Sequence, residues 1–144
     1  MQVSVLLQTK GRSVVSVAPG ATTAEVASTL SEHRIGAVVV SADGIHIDGV
    51  LSERDIVRAL ADRGAAALDD PASALMTADV FTCGPDSTVE ELMALMTERR
   101  ICHVPVVVGG QLVGIISIGD VVKDRISSLE SETQALHSYI ANPY

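Results

Sequence analysis

Tryptophan is absent from this sequence and phenylalanine occurs once. Aromatics make up 2% of the residues and hydrophobic residues 47%, so any core has to be built from Val, Ile, Leu, Ala and Met. Proteins that coat single-stranded nucleic acid stack bases on aromatic rings, and such platforms are nearly missing. Positive charge is scarce as well. Ten Lys and Arg face eighteen Asp and Glu, a formal net charge of −8. That balance argues against DNA or RNA as a partner and against an anionic membrane surface. No apolar run approaches the roughly 20 residues that span a bilayer. No signal-peptide pattern opens the chain, so the expected location is the cytoplasm.

There are two cysteines, Cys83 and Cys102. A metal site needs more ligands at defined spacing. Cys102 and His103 are adjacent, and neighbours on a strand point to opposite faces. Reduced, buried thiols are the expectation, with no metal. A Gly-x-x-x-x-Gly-Lys-Ser/Thr loop is missing, and so is a dense carboxylate cluster for Mg²⁺. Both absences argue against a nucleotide-hydrolysing enzyme.

What the chain does have is an internal repeat. Gly49-Val-Leu-Ser-Glu-Arg-Asp55 returns as Gly114-Ile-Ile-Ser-Ile-Gly-Asp120. Upstream, at an offset of 66, Pro19, Thr22, Glu25, Glu32, Arg34-Ile35, Val38 and Val40 fall on Pro85, Thr88, Glu91, Glu98, Arg100-Ile101, Val104 and Val106. The offset drops to 65 before the Gly-x-x-Ser-x-x-Asp motif, where a loop between strands can change length. The identities sit at turn, cap and core positions. Each copy has about 65 residues, a size at which isolated domains are marginal, so the copies should share a buried interface. The expected division is 1–65, 66–127 and a helical extension over 128–144.

The element order follows from local signals. Residues 3–8 form a helical or extended lead-in. Ser13–Val17 is β-branched and predicts a strand. Thr22 and Glu25 have capping-box spacing and open a helix that ends near Arg34. Ala37–Val40 is a continuous apolar strand, buried on both faces. Asp43-Gly44 is a turn, and Ile45–Ser52 the next strand. Ser52 and Asp55 cap a helix to about Arg63, which Gly64 ends. Residues 64–72 link the halves, and Asp70-Pro71 starts a short helix that mirrors the lead-in. The second copy repeats the order. Val80–Cys83 is a strand, Thr88 and Glu91 a capping box, and Leu92, Leu95 and Met96 an apolar helical face. His103–Val108 is a strand interrupted by Pro105, Gly109-Gly110 a tight turn, and Gln111–Ser117 the return strand. The last helix runs towards Tyr139, with Ile126, Leu129, Leu136 and Ile140 spaced for docking on another helix. Each half thus reads strand, helix, strand, strand, helix: an α/β (α+β) sandwich of a small mixed three-stranded sheet and two helices.

This order, with the doubled motif, resembles the cystathionine β-synthase (CBS) domain pair, or Bateman module, from the Val3 region to about Ser127. Leu75-Met-Thr77, the Arg-Ile before each second strand and Val104-Pro-Val106 carry the resemblance further. It implies two pseudo-two-fold-related domains, and a regulatory ligand such as AMP, ADP, ATP, NAD(H) or S-adenosylmethionine bound between them. It also implies homodimers of pairs as flat discs.

The motif has two compatible readings. Ser52 with Asp55, and Ser117 with Asp120, are helix caps worth about 1 kcal/mol each. With the resemblance added, both aspartates are expected to hold ribose hydroxyls. The helix start would offer amides to phosphate, and Gly49 or Gly114 would let backbone come close. The resemblance also places Ser16 and Thr82 as polar contacts beside base or ribose, and Gly36-Ala37 and Cys102-His103 along the adenine edge. Arg54 is suited to phosphate, helped by Lys10 or Arg12. Gly119 stands in its place in the second copy, where Lys123 or Arg125 would have to substitute, so unequal sites are expected. His103 is either structural or a ligand contact; His33, His46 and His137 are expected at the surface.

The functional expectation is a non-catalytic adenosyl-nucleotide sensor that passes its state to an effector protein. The alternatives are a ligand-free dimerisation scaffold and, further off, a nucleotide hydrolase.

Overall fold

A computed structural model describes residues 1–141. In chain order the elements are α1 (Val3–Lys10), β1 (Ser16–Val17), α2 (Thr23–His33), β2 (Ala37–Val40), β3 (Gly49–Ser52) and α3 (Glu53–Arg63). A 3₁₀ helix (Gly64–Asp69) and α4 (Ala72–Leu75) follow. Then come α5 (Val89–Arg99), β4 (His103–Val108), β5 (Gln111–Ser117) and α6 (Ile118–Ala141). The end of the expected extension, residues 142–144, lies outside the described residues.

The caps fall where the sequence put them. Thr22 and Thr88 each accept the amide three residues on, and Glu25 and Glu91 reach back to the cap amide. Arg34 and Arg100 close these helices in the left-handed region, at φ 53° and 55°. Gly64 ends α3 at φ 65°, and Gly109 and Gly110 turn the β4–β5 hairpin at φ 57° and 79°. β2 is buried along its whole length. It pairs parallel with β1 and antiparallel with β3, which gives the mixed three-stranded sheet of the first half.

Among the described residues the second half keeps β4 and β5 alone as regular strands. The strand expected at Val80–Cys83 is reduced to one parallel bridge, Cys83 to Val106. Pro105 is the reason. In the first half the Val39 amide donates to the Val15 carbonyl and the Ser41 amide to the Val17 carbonyl. The second pair survives as Val107 to Cys83, at 2.9 Å. Pro105 stands in the place of Val39 and has no N–H to give, so the ladder stops there. β4 itself is continuous through Pro105, contrary to the expected interruption.

Two further expectations are corrected. β3 begins at Gly49, not Ile45. Asp43 Oδ1 accepts the Ile45 and His46 amides at 2.8 Å each, and the Ile45 carbonyl accepts the Leu112 amide of β5 at 2.8 Å. Those bonds hold the segment in a turn against the other half. Residues 64–69 form a 3₁₀ turn with Ala67 fully buried, where a plain linker was expected.

The lead-ins are exchanged between the halves. Val3, Leu6 and Leu7 of α1 pack into the core of the second half, with Leu92, Met96, Val104 and Ile116. Ala72 of α4 joins the first half's core, with Val26, Val38, Val40 and Leu51, while Leu75 and Met76 pack against it. Each half's core therefore includes side chains of the other half's lead-in. Gly49 and Gly114 make room for this. A Cβ on Gly49 would lie 2.6 Å from Met76 Sδ and 2.8 Å from the Thr77 carbonyl, and one on Gly114 would lie 2.7 Å from Leu7 Cδ2. The close approach these glycines permit is to the lead-ins, not to the ligand expected from the sequence.

Candidate functional site

The repeated motif builds the same corner twice. Ser52 donates its amide (2.9 Å) and hydroxyl (3.0 Å) to Asp55 Oδ2, and its hydroxyl oxygen accepts the Asp55 amide at 3.3 Å. Ser117 and Asp120 repeat this at 2.8, 2.9 and 3.2 Å. The Glu53 amide donates to the Gly36 carbonyl, and the Ile118 amide to the Cys102 carbonyl. Each helix start is thereby tied to the residue that enters the middle strand. Two of the first three α3 amides are thus spoken for, which leaves less backbone for a phosphate than expected. Capping uses Oδ2 of each aspartate; among the described residues Oδ1 of Asp55 accepts no hydrogen bond.

A cavity of about 290 Å³ opens beside Asp55, near the lower end of the roughly 300–1,000 Å³ usual for ligand pockets. Both copies line it. Gly36, Ser52, Arg54, Asp55 and Arg58 come from the first, and Asp79, Phe81, Arg100, Cys102 and His103 from the second. Three arginines stand against Glu53, Asp55 and Asp79, so the cleft is close to neutral in a chain of net charge −8.

The cavity gathers six of the expected residues: Gly36, Ser52, Arg54, Asp55, Cys102 and His103. Ser16 and Thr82 lie exposed on the outer segment of each half, and Ala37 is buried in β2; none of the three lines this cavity. Ser117 and Asp120 form the second corner. Arg12, Lys123 and Arg125 are exposed. Lys10 belongs to the second corner, not the first. Its ammonium donates to Asp120 Oδ2 and to the Ile115 carbonyl, 2.5 Å each. It arrives there because α1 packs on the second half.

Sequence reading missed Arg58, Asp79, Phe81 and Arg100. Arg58 lies one turn beyond Asp55 on α3, so its spacing offered a signal. Phe81 is the single phenylalanine, 40% exposed, with the Arg99 guanidinium 5.0 Å from its ring centre. An exposed ring in an aromatic-poor chain was also a signal. Arg100 was visible only as the repeat match of Arg34, in the Arg-Ile pair before a strand.

Charge differs between the corners. Burial pushes the Asp120 carboxyl up, but the Lys10 ammonium and the Ser117 amide and hydroxyl outweigh it and hold the group below the usual aspartate range. His103 is held below the usual histidine range, by burial first and the Lys10 ammonium second, with Glu53 and Asp120 opposing. His103 therefore feels both corners at once, and is neutral near pH 7. His33, His46 and His137 are exposed, and Cys83 and Cys102 are half-buried free thiols. Among the described residues no helix is long and apolar enough to cross a membrane.

Residues 10–62 and 72–126 match the CBS domain. The chain is 32% identical over 124 residues to the mitochondrial CBS domain-containing protein CBSX3 of Arabidopsis thaliana. The match covers 83% of this chain and 60% of that relative, so the chain spans less than two thirds of it. A crystal structure of a CBS-domain containing protein from Agrobacterium tumefaciens superimposes with a TM-score of 0.84 at 51% identity, covering 87% of this chain and 99% of that one. A CBS domain protein from Pyrobaculum aerophilum, complexed with AMP, superimposes with a TM-score of 0.77 at 35% identity, covering 92% and 99%.

Proposed function

The chain belongs to the CBS-domain family as a tandem pair, and on that premise we propose that it is a regulatory module that binds an adenosyl nucleotide beside Asp55 and performs no chemistry on it. The observation that carries this is the composition of the cleft. An aspartate at a helix start, three arginines and an apolar wall meet there from both copies. A carboxylate accepts from two vicinal hydroxyls, arginines pair with phosphate oxygens in bidentate fashion, and the face of Phe81 or the Val80 wall suits a purine. The relative complexed with AMP, at 35% identity, supports the same ligand class.

The ligand class is AMP, ADP, ATP or NAD(H), held as a regulatory ligand. Because the cleft is lined from both copies, a bound nucleotide ties the halves together and biases their relative orientation, and an effector protein reads that surface. The active assembly is a homodimer of pairs in the cytoplasm. Val57 and Val122, equivalent positions on α3 and α6, are 62% and 49% exposed, which supports an apolar dimer face common to both halves.

A thermal-shift panel of AMP, ADP, ATP, NAD⁺, NADH and S-adenosylmethionine tests the reading. Ligand at 100 times its Kd should stabilise the fold by about 2.7 kcal/mol. No shift with any of the six, in protein shown to carry no co-purified nucleotide, would replace it with the ligand-free scaffold.

A further inference from the structure

The two halves treat one sheet edge differently. In the first, Val50 on β3 exchanges both backbone hydrogen bonds with Thr77, at 3.0 and 2.9 Å. Ile115 on β5 is the counterpart of Val50. Its carbonyl accepts the Lys10 ammonium instead. The exchange of lead-ins explains how Lys10 gets there. The bridges Gln2 to Thr88 and Thr22 to Pro71 start α1 and α4 at matching points. More residues then separate Leu7 from Val17 than separate Met76 from Cys83. The surplus lets α1 run on to Lys10, whereas α4 stops at Leu75.

At that position the ammonium spans a backbone carbonyl and the Asp120 carboxylate. Its side chain is 27% exposed and that of Asp120 24%. Charge-assisted bonds of this kind are the strong ones. Asp120 is the counterpart of Asp55, whose carboxylate carries no such cation among the described residues. Any ribose that sought Asp120 would have to compete with an internal cation already bound there. Gly119 in place of Arg54 also leaves the second corner without the arginine that would hold a phosphate at its start.

Resting on the reading of the Asp55 cleft above, we propose that Lys10 is the resident occupant of the second corner, where its ammonium sits on Asp120, which makes the chain a one-nucleotide module. Asp120 is then a latent ribose site, closed by a side chain of the same chain and opened by whatever draws the Lys10 ammonium off the carboxylate. A cation that sits on one corner and not the other also gives the module a direction: nucleotide enters at Asp55, and the Asp120 side is held by the lead-in.

The test is calorimetric titration of the purified chain with AMP, and with ATP, across four proteins: wild type, Lys10→Met, Asp55→Ala, and Lys10→Met combined with Asp55→Ala. Lys10→Gln serves as a second variant if Lys10→Met unfolds early. The expected result is one site per chain in wild type, two in Lys10→Met, and binding in the double variant at least tenfold tighter than in Asp55→Ala. Adding Asp120→Ala to the double variant should abolish that binding. Two sites in wild type, with one lost in Lys10→Met, would overturn the proposal by making Lys10 a ligand contact. One Asp55-dependent site in both wild type and Lys10→Met would overturn it while leaving the Asp55 reading intact. Binding in wild type that ignores Asp55→Ala would instead remove the Asp55 reading, and the Lys10 variants would still decide the Asp120 corner.

Discussion

Gly36 and His103 face each other where the two halves meet: a Cβ on Gly36 would stand 3.4 Å from His103 Cε1 and 3.5 Å from Glu53 Oε1. That distance is ordinary contact for a methyl group and leaves nothing for a branched side chain. The backbone of Gly36 is in turn held by the Glu53 amide. The mouth of the cleft is therefore set by the smallest residue available, against a ring that is itself packed.

Gly36→Ala should be nearly silent. Gly36→Val should push the His103 ring into the cleft and weaken nucleotide binding at least tenfold, with a small change in melting temperature. Calorimetry and thermal unfolding on the two variants separate loss of the cleft from loss of the fold.

His103 gives the fold a pH dependence whose sign can be stated. Free histidine titrates near 6.5. In the folded protein the group binds its proton more weakly, because it is buried and faces the Lys10 ammonium, with Glu53 and Asp120 only partly compensating. Below about pH 6.5 the unfolded chain therefore takes up more protons than the folded one. Stability should fall as the solution is acidified from pH 7 towards 5 and recover on return. In His103→Gln that slope should flatten. Urea unfolding at half-unit pH steps measures it, and an unchanged slope would place the titration elsewhere.

The lead-in exchange predicts an asymmetric cost of adding a methyl group. In Gly49→Ala the new Cβ meets the Thr77 backbone carbonyl as well as Met76. Overpacking of that kind costs about 1–3 kcal/mol, and it should loosen Thr77 from Val50. In Gly114→Ala the new contact is with the Leu7 side chain, which can rotate, so the loss should be smaller. Denaturant midpoints of the two variants check the order.

What the sequence disclosed, and what it hid, divides by distance along the chain. The capping boxes at Thr22 and Thr88, the Gly109-Gly110 turn and the buried run Ala37–Val40 are local signals, and all stand in the structure. So does the tandem order that the doubled Ser-x-x-Asp motif announced. The failures are long-range. Pro105 was read as a break in its own strand, but the bond it withholds belongs to a partner more than twenty residues upstream. Ile45 was read into the strand that follows the Asp43-Gly44 turn, yet Asp43 and Leu112 claim its backbone. Lys10 was grouped with the first half, in which it lies; packing sends it to Asp120 in the other. Of the cleft, the residues inside the motif were legible. Arg58, one turn from Asp55 on the same helix, could have been read from its spacing; Asp79 and Arg100 could not, since only folding brings them to Asp55.

The proposed double role of Asp55, nucleotide binding as well as the α3 cap, is tested by calorimetric titration of AMP and ATP into wild type and Asp55→Ala. Charged hydrogen bonds are worth about 1.5–3 kcal/mol each, so the variant should bind at least tenfold more weakly. Its helix content should stay near wild type, because loss of the cap alone costs about 1 kcal/mol. Equal affinity in the two proteins, with the helix intact, would contradict the account and leave Asp55 a helix cap alone.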